Sequence, residues 1–199
     1  MLMTSIEQGG MLPQPQQDPT LIAVQAEGEL VVLRNRAIEA ILNPEGTLPG
    51  VVLVDRYERS PRQSQRSGLD THNYAIIAND GVHIGKARVD VPYGFAAERE
   101  DVEACIDVVG IYNADYLRGG FGKSTYLELL KLLPMGLELA CDQRGVTPDA
   151  LKIWQWLEAH GLASRPAELG EPAKNTRGTY ENLSYRTCLA SLVDFSAER

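Results

Sequence analysis

A glycine-rich turn, Gly119-Gly120-Phe121-Gly122-Lys123-Ser124, is the stretch of this sequence best suited to hold a ligand. It lies between an apolar run that predicts a strand, residues 104–112, and an apolar run that predicts a helix, residues 124–133. Glycine lets several backbone N–H groups converge on an anion, and the first turn of the following helix adds the positive end of its dipole. The turn therefore predicts a phosphate-binding loop, without indicating which phosphate compound it holds.

Turn chemistry and residue periodicity predict an α+β fold around this loop. Asn79-Asp80-Gly81 has the composition of a tight turn, and polar and apolar residues alternate after it, so a β-hairpin is predicted from residues 74–78 and 82–91. A closing hairpin is predicted over residues 175–189. Further strands are predicted at residues 21–24, 30–33, 51–54, 103–112 and 137–141, and helices at residues 36–42, 124–133 and 147–160. This order predicts a mixed sheet and not a doubly wound array of βαβ units.

The composition is that of one globular domain. The chain has 199 residues, of which 44% are hydrophobic, and we expect a flexible Gln/Gly/Pro-rich tail over residues 1–20 followed by a single domain over residues 21–199. Three widely spaced cysteines, with no signal-like N-terminus and no long apolar run, predict a cytoplasmic protein that does not cross a membrane. Its histidines and cysteines form no pair at zinc-ligand spacing, so no metal is predicted. The net charge of −8 disfavours a nucleic-acid partner, and a homodimer stays open.

From about residue 74 to residue 163, the order of these segments resembles the GNAT superfamily of acyl-CoA N-acyltransferases. The hairpin over residues 74–88 looks like the second and third strands of that family, and residues 111–123 look like its fourth strand and pyrophosphate loop. Residues 137–161 look like its fifth strand and fourth helix. The resemblance implies a twisted, mostly antiparallel sheet with splayed central strands, flanked by helices. It also implies transfer of an acyl group from acetyl-CoA, or another acyl-CoA, to an amine of a small molecule, peptide or protein.

The resemblance also implies roles for particular residues. The backbone of Val109, Ile111 and Tyr112 would pair with the pantetheine arm like an added strand. The loop would receive the pyrophosphate through Arg118, Gly119, Gly120, Phe121, Gly122, Lys123 and Ser124. Glu103 and Asp142, near two strand ends, are candidate bases for the amine. Tyr112 and Tyr116 flank the loop, and one of them is a candidate acid for the departing thiolate or part of the wall of the acyl pocket.

Three positions depart from the family pattern. Leu117 stands where the loop motif usually has Gln or Arg, with Arg118 one step later. Val108 stands where many members carry a carboxylate base, and its neighbour Asp107 would face the other side of the strand unless a bulge intervenes. Trp154 stands where many members carry an acidic tyrosine. The usual acid and base are therefore missing from their usual places.

Two other functions stay open at this stage. Gly122-Lys123-Ser124-Thr125 copies the end of the nucleotide-binding motif G-x-x-x-x-G-K-[ST], but Leu117 replaces its first glycine. The missing acid and base are also compatible with a binding module that keeps the fold and transfers nothing. The arginine-rich segment over residues 56–66 predicts a solvated loop or a basic lip that guides an acidic substrate.

Overall fold

The computed structural model describes residues 19–56, 69–92, 103–142, 145–181 and 183–192. These residues form three α-helices and one open sheet of seven strands, numbered along the chain and ordered β1-β2-β3-β4-β5-β7-β6. The predicted α+β class with a mixed sheet is confirmed, since six strand pairings include one parallel pair and five antiparallel pairs.

The first element is a single long helix, α1 (Pro19–Leu42), of 24 residues. The strands predicted at residues 21–24 and 30–33 are therefore wrong, and the helix predicted at residues 36–42 is only the end of a longer one. Of the predicted tail, residues 1–18 lie outside the described residues, and the last two residues open the helix.

Tertiary packing explains why this segment is helical. Arg34, Ile38 and Leu42 are spaced four residues apart, so they lie on one helical face, and all three are buried. Gly28 does not interrupt the helix, since a glycine inside a helix costs only about 1 kcal/mol relative to alanine. A short apolar run predicts a strand when the segment that packs against it is not known.

The buried Arg34 joins α1 to the end of the second helix, α2 (Phe121–Leu132). Its Nη2 donates to the carbonyl oxygens of Leu133 at 2.7 Å and Lys131 at 3.2 Å, and its Nη1 donates to that of Pro134 at 3.2 Å. The last carbonyls of a helix receive no hydrogen bond from within the helix. The Arg34 guanidinium supplies donors to them from α1 and so caps the end of α2. Burial lowers the pKa of Arg34, and the charge of Glu138 opposes that shift.

Three antiparallel strands form one side of the sheet: β1 (Val51–Asp55), β2 (Leu69–Ala78) and β3 (His83–Pro92). The predicted hairpin between β2 and β3 is confirmed, with Ala75 opposite Lys86 and Asn73 opposite Arg88. Its turn uses Gly81 at a φ of 85°, a left-handed conformation that favours glycine.

The strand after this hairpin, β4 (Ala104–Ile111), is the middle strand of the sheet, as the sequence predicts. It runs antiparallel to β3 and parallel to β5 (Leu139–Ala140). The predicted closing hairpin over residues 175–189 is wrong. Among the described residues of that range, the one named strand is β7 (Arg186–Thr187), which is inserted between β5 and β6 (Ala163–Ser164), and Tyr180 forms isolated bridges with Val146 and Lys174.

Side-chain hydrogen bonds explain why β7 lies beside β5. The Glu138 carboxylate accepts from the Thr187 hydroxyl at 2.5 Å and from the Leu189 N–H at 3.0 Å. Thr187 in turn accepts from the Leu139 N–H at 2.8 Å. A strand of two residues is too short to be recognised by alternation, so these contacts decide its position.

The two remaining helices pack on the sheet much as predicted. In α2, Leu127, Leu130 and Leu133 form the expected buried stripe. The third helix, α3 (Pro148–Ala159), begins at the predicted cap, where the Thr147 hydroxyl accepts from the Ala150 N–H at 3.2 Å. Among the described residues, no helix combines the length and apolar character needed to cross a bilayer.

Candidate functional site

The two central strands β4 and β5 separate shortly after they begin. Their parallel pairing is limited to Ala104 with Leu139 and Cys105 with Ala140. The chain after β5 then follows β7, because the Cys141 N–H donates to the Tyr185 carbonyl at 3.0 Å. Within the described part of the chain, the rest of β4 up to Ile111 therefore has a partner on the β3 side alone.

A β-bulge lies where the two strands begin to separate. Val89 on β3 is opposite Ile106, and the next residue back, Arg88, is opposite Val108. Asp107 is therefore the extra residue on β4. A bulge redirects side chains locally, and it supplies the condition under which a carboxylate at this position can reach the gap between the strands.

The gap contains a cavity of about 160 Å³, which we call the inter-strand cavity. It is bounded by β4, by the chain after β5, by α2 and by the start of α3. The residues that line it are Ile106, Asp107, Val108, Val109, Tyr126, Asp142, Gly145, Val146, Thr147, Ala150 and Trp154. The cavity thus lies beside the part of β4 that does not pair with β5.

Two carboxylates, Asp107 and Asp142, line the inter-strand cavity. Asp107 Oδ2 lies 3.3 Å from Nη1 of Arg88, so a cation from β3 is adjacent to this end of the cavity. Asp142 is a predicted base, and the fold brings it to the cavity. Glu103, the other predicted base, is not in the lining: it lies at the paired end of β4, where its Oε1 is 2.9 Å from Nη1 of Arg186.

Aromatic residues form the inner wall of the inter-strand cavity. Trp154 is buried, stacks on Tyr185 with ring centroids 5.8 Å apart, and meets Tyr126 edge-on at 5.8 Å. Burial raises the pKa of Tyr126, and burial together with the Glu158 carboxylate raises the pKa of Tyr185 to about 12. Both phenols therefore keep their protons at neutral pH.

The glycine-rich turn runs directly into the first turn of α2. Gly120 has a φ of 85° and precedes the helix, and an added Cβ there would lie 3.3 Å from Cδ of Pro49. An added Cβ on Gly122 would lie 3.2 Å from Cδ1 of Ile153 on α3. Gly120 therefore suits its left-handed conformation, and a side chain at Gly122 would require Ile153 to move by a few tenths of an ångström.

The first N–H groups of α2 are oriented out of its N-terminus. Those of Phe121, Gly122 and Lys123 have no acceptor inside the helix, because the first intrahelical bond is that from the Ser124 N–H to the Gly120 carbonyl, at 3.1 Å. Of the predicted loop donors, Ser124 is therefore already engaged, and it is buried. Fewer backbone N–H groups of the loop are therefore available to bind an anion than the sequence predicts.

The side chains of the loop differ in their placement. Arg118 is exposed, and Lys123 Nζ lies 4.7 Å from the ring centroid of Trp156. The Phe121 ring meets Tyr116 edge-on at 5.0 Å, and the Tyr116 hydroxyl donates to Asp80 at 2.5 Å. That hydrogen bond raises the pKa of Tyr116.

Of the three predicted backbone contacts, those of Val109 and Ile111 are directed away from β3, whereas the N–H of Tyr112 is already bonded to β3. The Tyr112 N–H donates to the Ile84 carbonyl on β3 at 3.0 Å. Since the polar groups of successive strand residues alternate, the N–H and C=O groups of Ile111 and Val109 are directed away from β3, toward the gap. The Tyr112 side chain lies elsewhere: it is 56% exposed and its ring meets that of His83 edge-on. It is thus outside the inter-strand cavity.

No protein-family model and no curated protein sequence matches this chain. What the site can do therefore follows from its geometry. In the described ranges, no group of three or more His, Cys, Asp or Glu side chains is arranged to hold a metal ion.

Sequence reasoning missed two features of this site. Tyr126 lies on the helix after the loop and looks like part of an apolar stripe, so its place in the cavity wall depends on how α2 packs. Asp107 is not among the predicted bases, because alternation along an unbroken strand directs it to the other face. The alternation of polar and apolar residues within β4 does not identify the extra residue, so this strand alone does not predict the bulge.

Proposed function

We propose that this protein transfers an acyl group from acyl-CoA, in the first instance acetyl-CoA, to an amine, as enzymes of the GNAT superfamily do. The observation that carries the proposal is the early separation of β4 from β5, which leaves a cavity between two parallel central strands. The glycine-rich turn follows β4 after a short connection with one turn of 3-10 helix (Ala114–Tyr116) and leads into α2, which supports the same proposal.

The pyrophosphate of CoA is the group best matched to the start of α2. Its oxygens would accept from the N–H groups of Phe121, Gly122 and Lys123, where the helix dipole also favours negative charge. The pantetheine arm would then run along the unpaired edge of β4, bonding to the backbone of Val109 and Ile111. This path leads from the loop into the inter-strand cavity.

The thioester would lie near the bulge, where Asp107 and Asp142 line the cavity. The amine nitrogen attacks the thioester carbon once it has lost a proton, for which either carboxylate is placed to act through a water. The carbon–sulfur bond then breaks, and the CoA thiolate leaves and takes a proton from the solvent. Much of the rate would come from holding the two reactants together.

Calorimetric titration with acetyl-CoA tests the binding half of this proposal. We expect binding that is lost in Gly120→Asp, because a carboxylate would stand where the pyrophosphate lies. Gly178→Asp is the control for the strain of a side chain at positive φ: its φ is 78°, no atom lies within 4 Å of an added Cβ, and it is far along the chain from the loop. An added Cβ at Gly120 would also lie 3.3 Å from Cδ of Pro49, so circular dichroism must show that Gly120→Asp remains folded. The absence of a heat of binding at millimolar acetyl-CoA would contradict this proposal. If Mg-ATP binds instead, and Lys123→Ala abolishes that binding, the loop is a nucleotide site.

A binding module that transfers nothing is the second candidate. It is favoured by the absence of an evident acid, since Trp154 replaces the expected tyrosine, Tyr112 is outside the cavity, and burial raises the pKa of Tyr126. Release of free thiol from acetyl-CoA, dependent on an added amine, decides between the two. Acetyl-CoA binding without thiol release across a broad amine panel would favour the module.

A further inference from the structure

A second cavity, of about 290 Å³, lies on the face of the β1–β4 sheet where side chains remain exposed. We call it the open-face cavity. Ten residues line it: Arg56, Asn73, Tyr74, Ala75, His83, Lys86, Ala87, Arg88, Val108 and Tyr112. The register of β2, β3 and β4 brings Asn73, Arg88 and Val108 into one row, and Ala75 and Lys86 into the next.

Among the described residues that line the open-face cavity, the charges all have one sign. Arg56, Lys86 and Arg88 line it with His83, and no Asp or Glu is among these ten described residues. This is unusual in a chain with 27 acidic residues and 19 basic ones. Cations that share a pocket repel one another. Asp107, which is outside this lining, offsets part of the charge at Arg88, and an anion in the pocket would offset the rest.

A buried hydrogen-bond donor in the wall also lacks an acceptor. Within the described part of the chain, Arg88 Nε is buried and makes no hydrogen bond, although the Arg88 side chain as a whole is 43% exposed. Oδ1 of Asp90 lies 4.0 Å from this nitrogen. That oxygen already accepts from the Thr71 hydroxyl at 2.6 Å. Buried donors are rarely left without a partner, and an ion is one common explanation.

The two cavities meet at β4. Val108 lines both of them, and Arg88 Nη1 lies 3.3 Å from the Asp107 carboxylate of the inter-strand cavity. A cation and an anion in contact can receive a molecule that carries the opposite two charges a few atoms apart. A carboxylate or phosphate would bind to Arg88 and Lys86, and an ammonium group would bind to Asp107.

We propose that the open-face cavity binds an oxyanion, and that the acyl acceptor is an amine that carries a carboxylate or a phosphate close to its nitrogen. The choice of acceptor rests on the proposed function, whereas the binding of an oxyanion does not. Arg88 and Lys86 are the residues that would recognise the anionic end. Asp107 would hold the nitrogen at the mouth of the inter-strand cavity.

The first experiment needs no acyl-CoA. Inorganic phosphate and acetate are titrated into the full chain at constant ionic strength, with chloride as the reference anion, and backbone amide shifts are followed by NMR. We expect saturable shifts at Asn73, Lys86 and Arg88 with at least one of the two anions. Arg88→Gln and Lys86→Gln should each weaken this binding about tenfold or more, as loss of one charge-assisted contact does.

Two controls keep the result interpretable. Lys152→Gln removes one positive charge from an exposed ion pair on α3 and should leave anion binding unchanged. Lys86→Gln preserves the contact between Arg88 and Asp107, so it answers the question if Arg88→Gln unfolds. Shifts that never saturate, or that are equal in the wild type and in Lys86→Gln, would overturn the proposed anion site.

The second experiment compares matched amines in the thiol-release assay. Glycine is set against glycinamide, and O-phosphoethanolamine against ethanolamine, so that each pair differs in one anionic group. We expect an acidic member to be preferred at least tenfold, and Lys86→Gln to remove that preference. Equal rates within both pairs would refute the acceptor class. Anion binding without acetyl-CoA binding would leave the open-face cavity in place and refute the acyltransferase instead.

Discussion

Replacement of Arg34 by methionine tests the packing of α1, the helix that was predicted as two strands and a shorter helix. Arg34→Met keeps most of the apolar stem of the side chain but removes the guanidinium that donates to the carbonyls of Lys131, Leu133 and Pro134 at 2.7 to 3.2 Å. Three buried or half-buried acceptors would lose a charged donor, and each such loss costs about 1 kcal/mol or more. We therefore expect the free energy of unfolding to fall by about 3 kcal/mol.

Urea unfolding followed by circular dichroism measures this change. With a slope of about 2 kcal/mol per molar urea, the midpoint should fall by about 1.5 M. Arg36→Met is the matched control, because Arg36 is exposed on the same helix and its replacement should change stability by less than about 0.5 kcal/mol. Equal effects of the two substitutions, or no effect of Arg34→Met, would refute the packing of α1 on the end of α2.

Two further predictions follow from the site. Burial and Glu158 raise the pKa of Tyr185 to about 12, above the value of about 10 in an unfolded chain, so this tyrosine contributes stability below pH 10 that is lost as the pH rises toward 12. Tyr185→Phe should remove a loss of about 1 kcal/mol between pH 9 and pH 11, as measured by urea unfolding at each pH. For catalysis, Asp107→Asn should lower kcat/KM for amine-dependent thiol release about a hundredfold or more, while Glu103→Gln should change it less than about threefold. The reverse order would show that the base lies at the paired end of β4, beside Arg186.

Local signals predicted the elements that turn chemistry controls. The hairpin around Asn79-Asp80-Gly81 and the start of α3 at Thr147 are both present, because a turn or a cap depends on a few adjacent residues. The helix after the glycine-rich turn is present as well, three residues longer at its start than predicted. The residue at which the helix begins also fixes which N–H groups of its first turn have no acceptor inside the helix.

Long-range packing decided the elements that were misread. The apolar runs of α1 became one helix because Arg34 and Ile38 pack on another part of the chain, about a hundred residues away in the case of Arg34. The strand pair β6 and β7 has two residues in each strand, and the carboxylate of Glu138 fixes its place. Neither event is visible within a window of neighbouring residues.

The sequence by itself determined the glycine-rich loop, the helix that follows it and the α+β class, because these depend on backbone conformation and on residue period. Only the tertiary structure decided which carboxylates meet at the site. Asp142 and Asp107 come together because β4 leaves β5 after two residue pairs and gains one extra residue at the same point, whereas Glu103 stays at the paired end. Strand separation and a bulge are relations between segments distant in the chain, so residue spacing within one segment does not encode them.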